Sequence, residues 1–224
     1  MNLQRIEEHT FDLDLLKNPM IPWVLDVGCR GFGMAKQLVS MGCNVVAMDP
    51  DPDIEDLGNN FSVETPKLIF LRQALVSREE AFHGSGVLMR PHDVAGSYVY
   101  SSCSTSNPTT TPTARPPVDV ELVDIVDLTH RWLNINTRWS AVKLDCEDSE
   151  YGILLDWPGP IADQISVEFH EHLANFRFNL SEYYPKMLKH LGQWYASVKF
   201  DRTHQHGLGE NYWDTLFVLK ELVS

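Results

Sequence analysis

Two stretches decide the fold: Val24–Gly33, VLDVGCRGFG, and Val45–Asp51, VVAMDPD. Trp23 to Val27 is a brief β-rich run that ends at a glycine, the pattern of a buried strand. Gly33 to Met41 follows with apolar Met34, Ala35, Leu38, Val39 and Met41 close to helical spacing, and Gly42 stops it. Asn44 to Met48 (NVVAM) is a second strand. Strand, helix and strand within about 25 residues imply a right-handed parallel crossover. Asp51 to Asn60 then reads as a short acidic helix or turn, and Lys67 to Leu71 (KLIFL) as a third strand. The chain therefore opens as an α/β sheet.

Working outward, Gly84 to Pro117 has little helical period. Its second half, Ser102 to Pro117 (SCSTSNPTTTPTARPP), is a low-complexity Ser/Thr/Pro tract. Such a tract cannot pack a core; it reads either as a solvated insertion or as a lid that selects substrate. Regular pattern returns with a partly alternating strand over Val118–Val126 and a short buried strand over Ala141–Leu144. Ser149–Trp157 is a helix ended by Pro158 and Pro160. Gln164–Phe169 (QISVEF) is a strand, and Ser181–Leu191 a helix with Ser181 as its expected N-cap. Tyr195–Phe200 and Thr215–Leu219 suit an antiparallel pair at the sheet edge. No repeat and no second domain stand out, so residues 1–224 read as one domain with an insertion near 84–117.

The chain has 224 residues, 18 Lys+Arg against 31 Asp+Glu, and a net charge of −13. That balance argues against a protein that grips nucleic acid through its phosphates. The amino terminus, MNLQRIEEHTFDLDLL, carries charges throughout and lacks the apolar core of a signal peptide. No apolar run approaches the roughly 18 residues of a membrane span. Cys29, Cys43, Cys103 and Cys146 show no CxxC spacing and read as reduced thiols. The expectation is a cytoplasmic protein without a membrane partner.

The glycine turn carries the chemistry. A strand running into glycines that open a helix aims backbone N–H groups at a ligand. The spacing Gly28, Gly31, Gly33 departs from the dinucleotide pattern GxGxxG. Asp26, two residues before the first glycine, would repel a pyrophosphate. It suits a ligand with positive charge, such as the amino acid and sulfonium of S-adenosyl-L-methionine (SAM). Asp49 ends the second strand, 21 residues after Gly28, where a carboxylate accepts both ribose hydroxyls. Taken alone, Asp49-Pro50-Asp51 also reads as a turn that caps a helix.

These elements resemble motif I and the following acidic motif of class I SAM-dependent methyltransferases. KLDCEDSEYGIL (Lys143–Leu154), ISVEFH (Ile165–His170) and DTLFVLK (Asp214–Lys220) are similar to the FkbM-type subgroup. The resemblance runs from Trp23 to Lys220, with Gly84–Pro117 covered poorly. It implies a Rossmann-like, seven-stranded, mostly parallel sheet with an antiparallel last strand and helices on both faces. It further implies SAM, leaving as S-adenosylhomocysteine, over Gly28, Gly31 and Asp49, and transfer to an oxygen of a small molecule, sugar or lipid. Gln73 and Ala74 fall where that fold lays the adenine, or else are ordinary strand-end packing.

Residues i and i+2 share one strand face, so Lys143 and Asp145 point one way, as do Glu168 and His170. On neighbouring strands, Asp145, Glu168 and His170 converge beyond the carboxyl ends, where ligands of parallel sheets lie. His170 is the expected base by its ordinary pKa, with Glu168 or Asp145 orienting it or the acceptor. A divalent cation on the same three residues is the second reading, and capping the third; no metal site is assigned. The function expected is O-methylation of a small-molecule or glycan hydroxyl. Two other classes are a SAM-fold interaction protein without transfer chemistry and an N-methyltransferase acting on protein or nucleic acid. The polar strand ends count against the first, and the lack of an NPPY or DPPY motif against the second.

Overall fold

The computed structural model describes residues 1–17, 22–89, 98–101, 116–133, 137–147, 149–170, 180–206 and 210–223. Its centre is a seven-stranded sheet. The strands are β3 (Trp23–Val27), β4 (Asn44–Met48), β5 (Leu68–Leu71), β10 (Ala141–Leu144), β11 (Gln164–His170), β12 (Tyr195–His206) and β13 (Glu210–Leu219), in the order β12-β13-β11-β10-β3-β4-β5. The pairs β3/β4, β4/β5, β3/β10 and β10/β11 are parallel, and β13 is antiparallel to both its neighbours. This is a Rossmann-like topology with the expected reversed last strand.

Alternation divides the strands between two cores. Leu25, Val27, Val46, Met48, Val142, Leu144, Ile165 and Val167 face one way. There they meet α5 (Ile125–Trp132), α6 (Glu150–Leu155) and α7 (Leu180–Leu191). Val24, Val45, Ala47 and Ala141 face the other way, against α2 (Gly33–Ser40), α3 (Glu55–Glu64) and α1 (Leu13–Lys17). The first helix after the glycine turn ends as its sequence dictates: Gly42, at φ 101°, lets the Cys43 N–H return to the Leu38 carbonyl at 3.1 Å.

Several expectations change. The amino terminus forms a hairpin, β1 (Leu3–Ile6) with β2 (His9–Asp12), laid over the sheet. Gly84–Pro117 is not one loop. It contributes β7 (Ser85–Met89) and β8 (Tyr98–Ser101) to a second sheet with β6 (Gln73–Leu75) and β9 (Val118–Val123), ordered β6-β9-β7-β8. These short strands are held by partners distant in sequence, so local pattern does not announce them. The strand from Val118 stops at Val123 because Asp124 caps α5, accepting from the Val126 and Asp127 N–H groups at 2.7 and 3.1 Å. Ser181 lies inside α7, whose first residue is Leu180, and so does not cap it. The Ser/Thr/Pro tract from 102 to 115 and Cys103 within it lie outside the described residues, whereas Cys29, Cys43 and Cys146 are free thiols. Among the described residues no helix is long and apolar enough to cross a membrane.

Gly28, just past β3, passes closely against the backbone of Asp145. Its φ is 77°, and a Cβ there would stand 1.7 Å from the Asp145 carbonyl oxygen. Gly28→Ala is expected to cost about 3 kcal/mol or more of folding stability in urea denaturation. At Gly31 an added methyl meets nothing within 4 Å, so Gly31→Ala is expected to change stability by less than about 0.5 kcal/mol.

Candidate functional site

The parallel register sets the site in two tiers. Asp26, Lys143 and Ser166 are direct neighbours on β3, β10 and β11. One step of two residues further lie Gly28, Asp145 and Glu168, with Asp214 of β13 directly beside Glu168. Both tiers face the amino-terminal hairpin. The expected convergence of Asp145, Glu168 and His170 is present: their ligand atoms all lie within 4.8 Å of one another.

Lys143 organises the lower tier. Only 4% exposed, its Nζ donates to the Gly28 carbonyl at 2.7 Å and stands 3.4 Å from Asp26 Oδ1 and 3.2 Å from Asp145 Oδ2. Burial alone would lower its pKa, but the charges of Asp145 and Asp26 outweigh that and raise it. The two carboxylates share this ammonium unequally. Burial pushes Asp26 up despite Lys143. Burial would push Asp145 up too, yet Lys143, His9 and His170 together hold it below the usual range. Asp145, whose side chain is 24% exposed, also sits closer to the ammonium than Asp26 does. Asp26 is thus the counter-ion of an internal lysine, and its carboxylate is enclosed rather than offered to a ligand.

The glycine turn is strained and closed by Asp49. Arg30 and Phe32 have φ of 22° and 57°, uncommon outside glycine. Gly28 and Cys29 donate to the Met48 carbonyl at 2.9 and 3.1 Å. Asp49 Oδ2 accepts from the Arg30 N–H at 3.2 Å and Oδ1 from the Asp51 N–H at 2.9 Å. Asp49 therefore does make the turn its sequence suggests, and each oxygen keeps a second lone pair. Burial lifts its pKa to about 6, against the pull of those two N–H groups. Ala74 packs with Val76, Leu88, Val120 and Leu122 in the small sheet's core, and the Gln73 amide oxygen accepts from Arg131 at 3.4 Å.

His170 is enclosed by acids. Its Nδ1 lies 3.3 Å from Glu150 Oε1, and its Nε2 lies 3.5 Å from Glu147 Oε2 and 3.8 Å from Asp145 Oδ1. Burial would lower its pKa, but the Glu150 hydrogen bond and the charges of Glu150, Glu147 and Asp145 push it up to about 10. Such a ring holds a proton at neutral pH, which does not suit a vacant base. Glu147, in a left-handed turn at φ 52°, is pushed by burial up to about 7, with the His170 charge opposing. Burial and the charge of Asp145 raise Glu168 as well.

The residues sequence reasoning missed come from the hairpin. Gln164 Oε1 accepts from the Asp12 N–H at 2.8 Å and its Nε2 donates to the Asp12 carbonyl at 3.1 Å. His9 Nδ1 lies 3.3 Å from Ser166 Oγ. A Cβ on Gly33 would stand 1.8 Å from Glu7 Oε1, so the hairpin tip also touches the start of α2. The signal available was β11 itself: in QISVEFH the alternate residues Gln164, Ser166, Glu168 and His170 are all buried, which demands a polar cover.

No protein-family model matches the chain, and no curated protein matches its sequence. Several solved structures are similar to it. M. capricolum TrmK in complex with S-adenosyl-homocysteine is 10% identical, with 93% of this chain aligned to 67% of that one at a TM-score of 0.47. Magnesium protoporphyrin IX methyltransferase from Synechocystis with bound SAM is 11% identical, over 93% of this chain and 76% of its own, also at 0.47. The N-methyltransferase NodS from Bradyrhizobium japonicum is 6% identical over 92% and 91% of the two chains, at 0.45.

Removing Lys143 leaves two carboxylates around one vacated, buried cation site. Lys143→Met is expected to destabilise the fold by about 3–5 kcal/mol near neutral pH. The loss is expected to shrink as pH falls, because Asp26, already raised above its ordinary value, takes up a proton and then needs no counter-ion. Urea denaturation across a descending pH series checks this; a loss that does not change with pH refutes it.

Proposed function

We propose that the protein is a SAM-dependent methyltransferase whose acceptor is a hydroxyl of a small molecule or glycan. The observation that carries this reading is the junction of β3 and β4: a strained turn held by Lys143 through the Gly28 carbonyl and faced by both oxygens of Asp49. A carboxylate with two free lone pairs beside exposed turn backbone fits a ribose diol. The surrounding acids favour a cationic sulfonium ligand. Gly31, where a methyl would meet open space, is the point of the turn with room for the methionine part. Gln73 and Ala74 of β6 are the residues this reading assigns to the base.

Transfer is an in-line displacement. Bound SAM would supply an electrophilic methyl group for the acceptor oxygen, its sulfur leaving with the carbon–sulfur pair as the neutral thioether of S-adenosylhomocysteine. The protein's work is alignment and removal of the hydroxyl proton. Glu147, with a pKa near neutrality, is the proton acceptor in this scheme. His170, charged, holds Glu147 and Asp145 in place, and Glu168 faces the acceptor from the next strand.

Calorimetric titration with SAM and S-adenosylhomocysteine tests the cofactor. Asp49→Ala is expected to weaken SAM by about 1.5–3 kcal/mol, roughly 10- to 100-fold, and Gly31→Ala to weaken it without loss of stability. SAM binding is expected to be flat above about pH 6 and to fall about tenfold per unit below it. The sign follows because only the ionised Asp49 accepts from both hydroxyls. No binding by the wild type refutes the assignment. With SAM bound, Glu147→Gln is expected to lower turnover on a panel of hydroxylated acceptors by about 100-fold or more at unchanged SAM affinity. Binding without turnover on any acceptor favours an interaction protein instead.

A further inference from the structure

We propose that His9, Glu168 and Asp214 form a site for one divalent transition-metal ion beside the acceptor position. The three come from β2, β11 and β13, all are buried, and their ligand atoms lie within 4.8 Å of one another.

The donors are preformed. His9 is 3% exposed, and its Nδ1 is engaged by Ser166 Oγ at 3.3 Å. That contact fixes the ring, as an outer partner does for a metal-ligating histidine. Its Nε2 is buried and makes no hydrogen bond; the nearest charged group is Asp145 Oδ2 at 3.9 Å. A buried ring nitrogen aimed into carboxylates without a hydrogen bond costs free energy unless something coordinates it.

The carboxylates need the same charge. Glu168 and Asp214 are direct cross-strand neighbours, with Asp145 one residue past the end of β10 and close by. Like charges opposite one another destabilise a sheet. Lys143 serves Asp145 at 3.2 Å. One ring nitrogen with two carboxylate oxygens suits manganese(II), iron(II) or zinc. Three protein ligands leave positions open for water or an acceptor oxygen.

The alternative triplet Asp145, Glu168 and His170 is less apt. Asp145 is committed to Lys143, and His170 is bracketed by Glu150, Glu147 and Asp145. The ion's role toward an acceptor, lowering its hydroxyl pKa, rests on the methyltransferase reading. Its binding does not.

Metal-stripped full-length protein titrated with Mn2+ in the absence of SAM tests the site by electron paramagnetic resonance. The expected result is uptake of one equivalent, with nitrogen modulation in the spin echo. His9→Gln is expected to abolish that modulation, and His9→Gln and Asp214→Asn each to weaken binding about 100-fold or more, while SAM titration is unchanged. Absence of Mn2+ uptake by the wild type, or uptake without nitrogen modulation, overturns the proposal without recourse to any variant. Retention of the nitrogen signal in folded His9→Gln and its loss in His170→Gln overturns it in favour of the other triplet. SAM binding is scored separately: an ion-binding protein that ignores SAM keeps this site and loses the methyltransferase reading, and the converse loses this site alone.

Discussion

A lysine ammonium placed inside the central sheet is the constraint on which the site depends. Taking one ion out of water costs several kcal/mol, and the cost is offset only when good partners surround it. Lys143 has three: the Gly28 carbonyl, Asp26 and Asp145. Two are set by register, because β10 lies parallel to β3 with Lys143 beside Asp26 and the next level beside Gly28. A slip of one residue would turn Lys143 toward the apolar core of Leu25, Val142 and Leu144 and leave Asp26 without a cation. The ion cluster thus fixes the relative height of two strands, and with it the carboxyl ends that meet any ligand.

The same logic explains the amino-terminal hairpin. β11 presents Gln164, Ser166, Glu168 and His170 on one face and Ile165, Val167 and Phe169 on the other. An apolar cover on the first face would strand polar atoms. The hairpin instead meets Gln164 with the backbone of Asp12, and Ser166 with His9. Its tip sets Glu7 against the first residue of α2, where a carboxylate is favoured by the helix dipole. One short element therefore covers the polar side of the sheet and reaches the glycine turn.

Most of the sheet was legible because parallel strands buried on both faces read as short apolar runs between turn residues. Trp23–Val27, Asn44–Met48 and Ala141–Leu144 carry that signal unmixed, and Gly28 and Gly42 mark where the chain must turn. Asp145, Glu168 and His170 were found together because period-two spacing survives folding. The rest depended on contacts no local window contains. Ser85–Met89 and Tyr98–Ser101 are strands because they pair with each other and with Val118–Val123. His9 belongs to the site only because the hairpin folds back across 157 residues to Ser166. The charge state of His170 was likewise illegible: residue type sets a pKa near neutrality, and three carboxylates from one loop and helix start reset it.

Charge ties these observations together. The net −13 of the chain is concentrated in part in and just beyond strands β3, β10, β11 and β13, in Asp26, Asp145, Glu147, Glu150, Glu168 and Asp214. Buried carboxylates in such numbers repel one another, and the direction of their titration records how each is served. Asp145, with Lys143 and two histidines nearby, stays ionised below the usual range. Glu147, Glu168 and Asp214 are raised, with burial outweighing the cations beside them. The gradient runs from the Lys143 side of the sheet toward Glu168 and Asp214, the side covered by His9. A positively charged group entering this region is repelled least at the end farthest from Lys143.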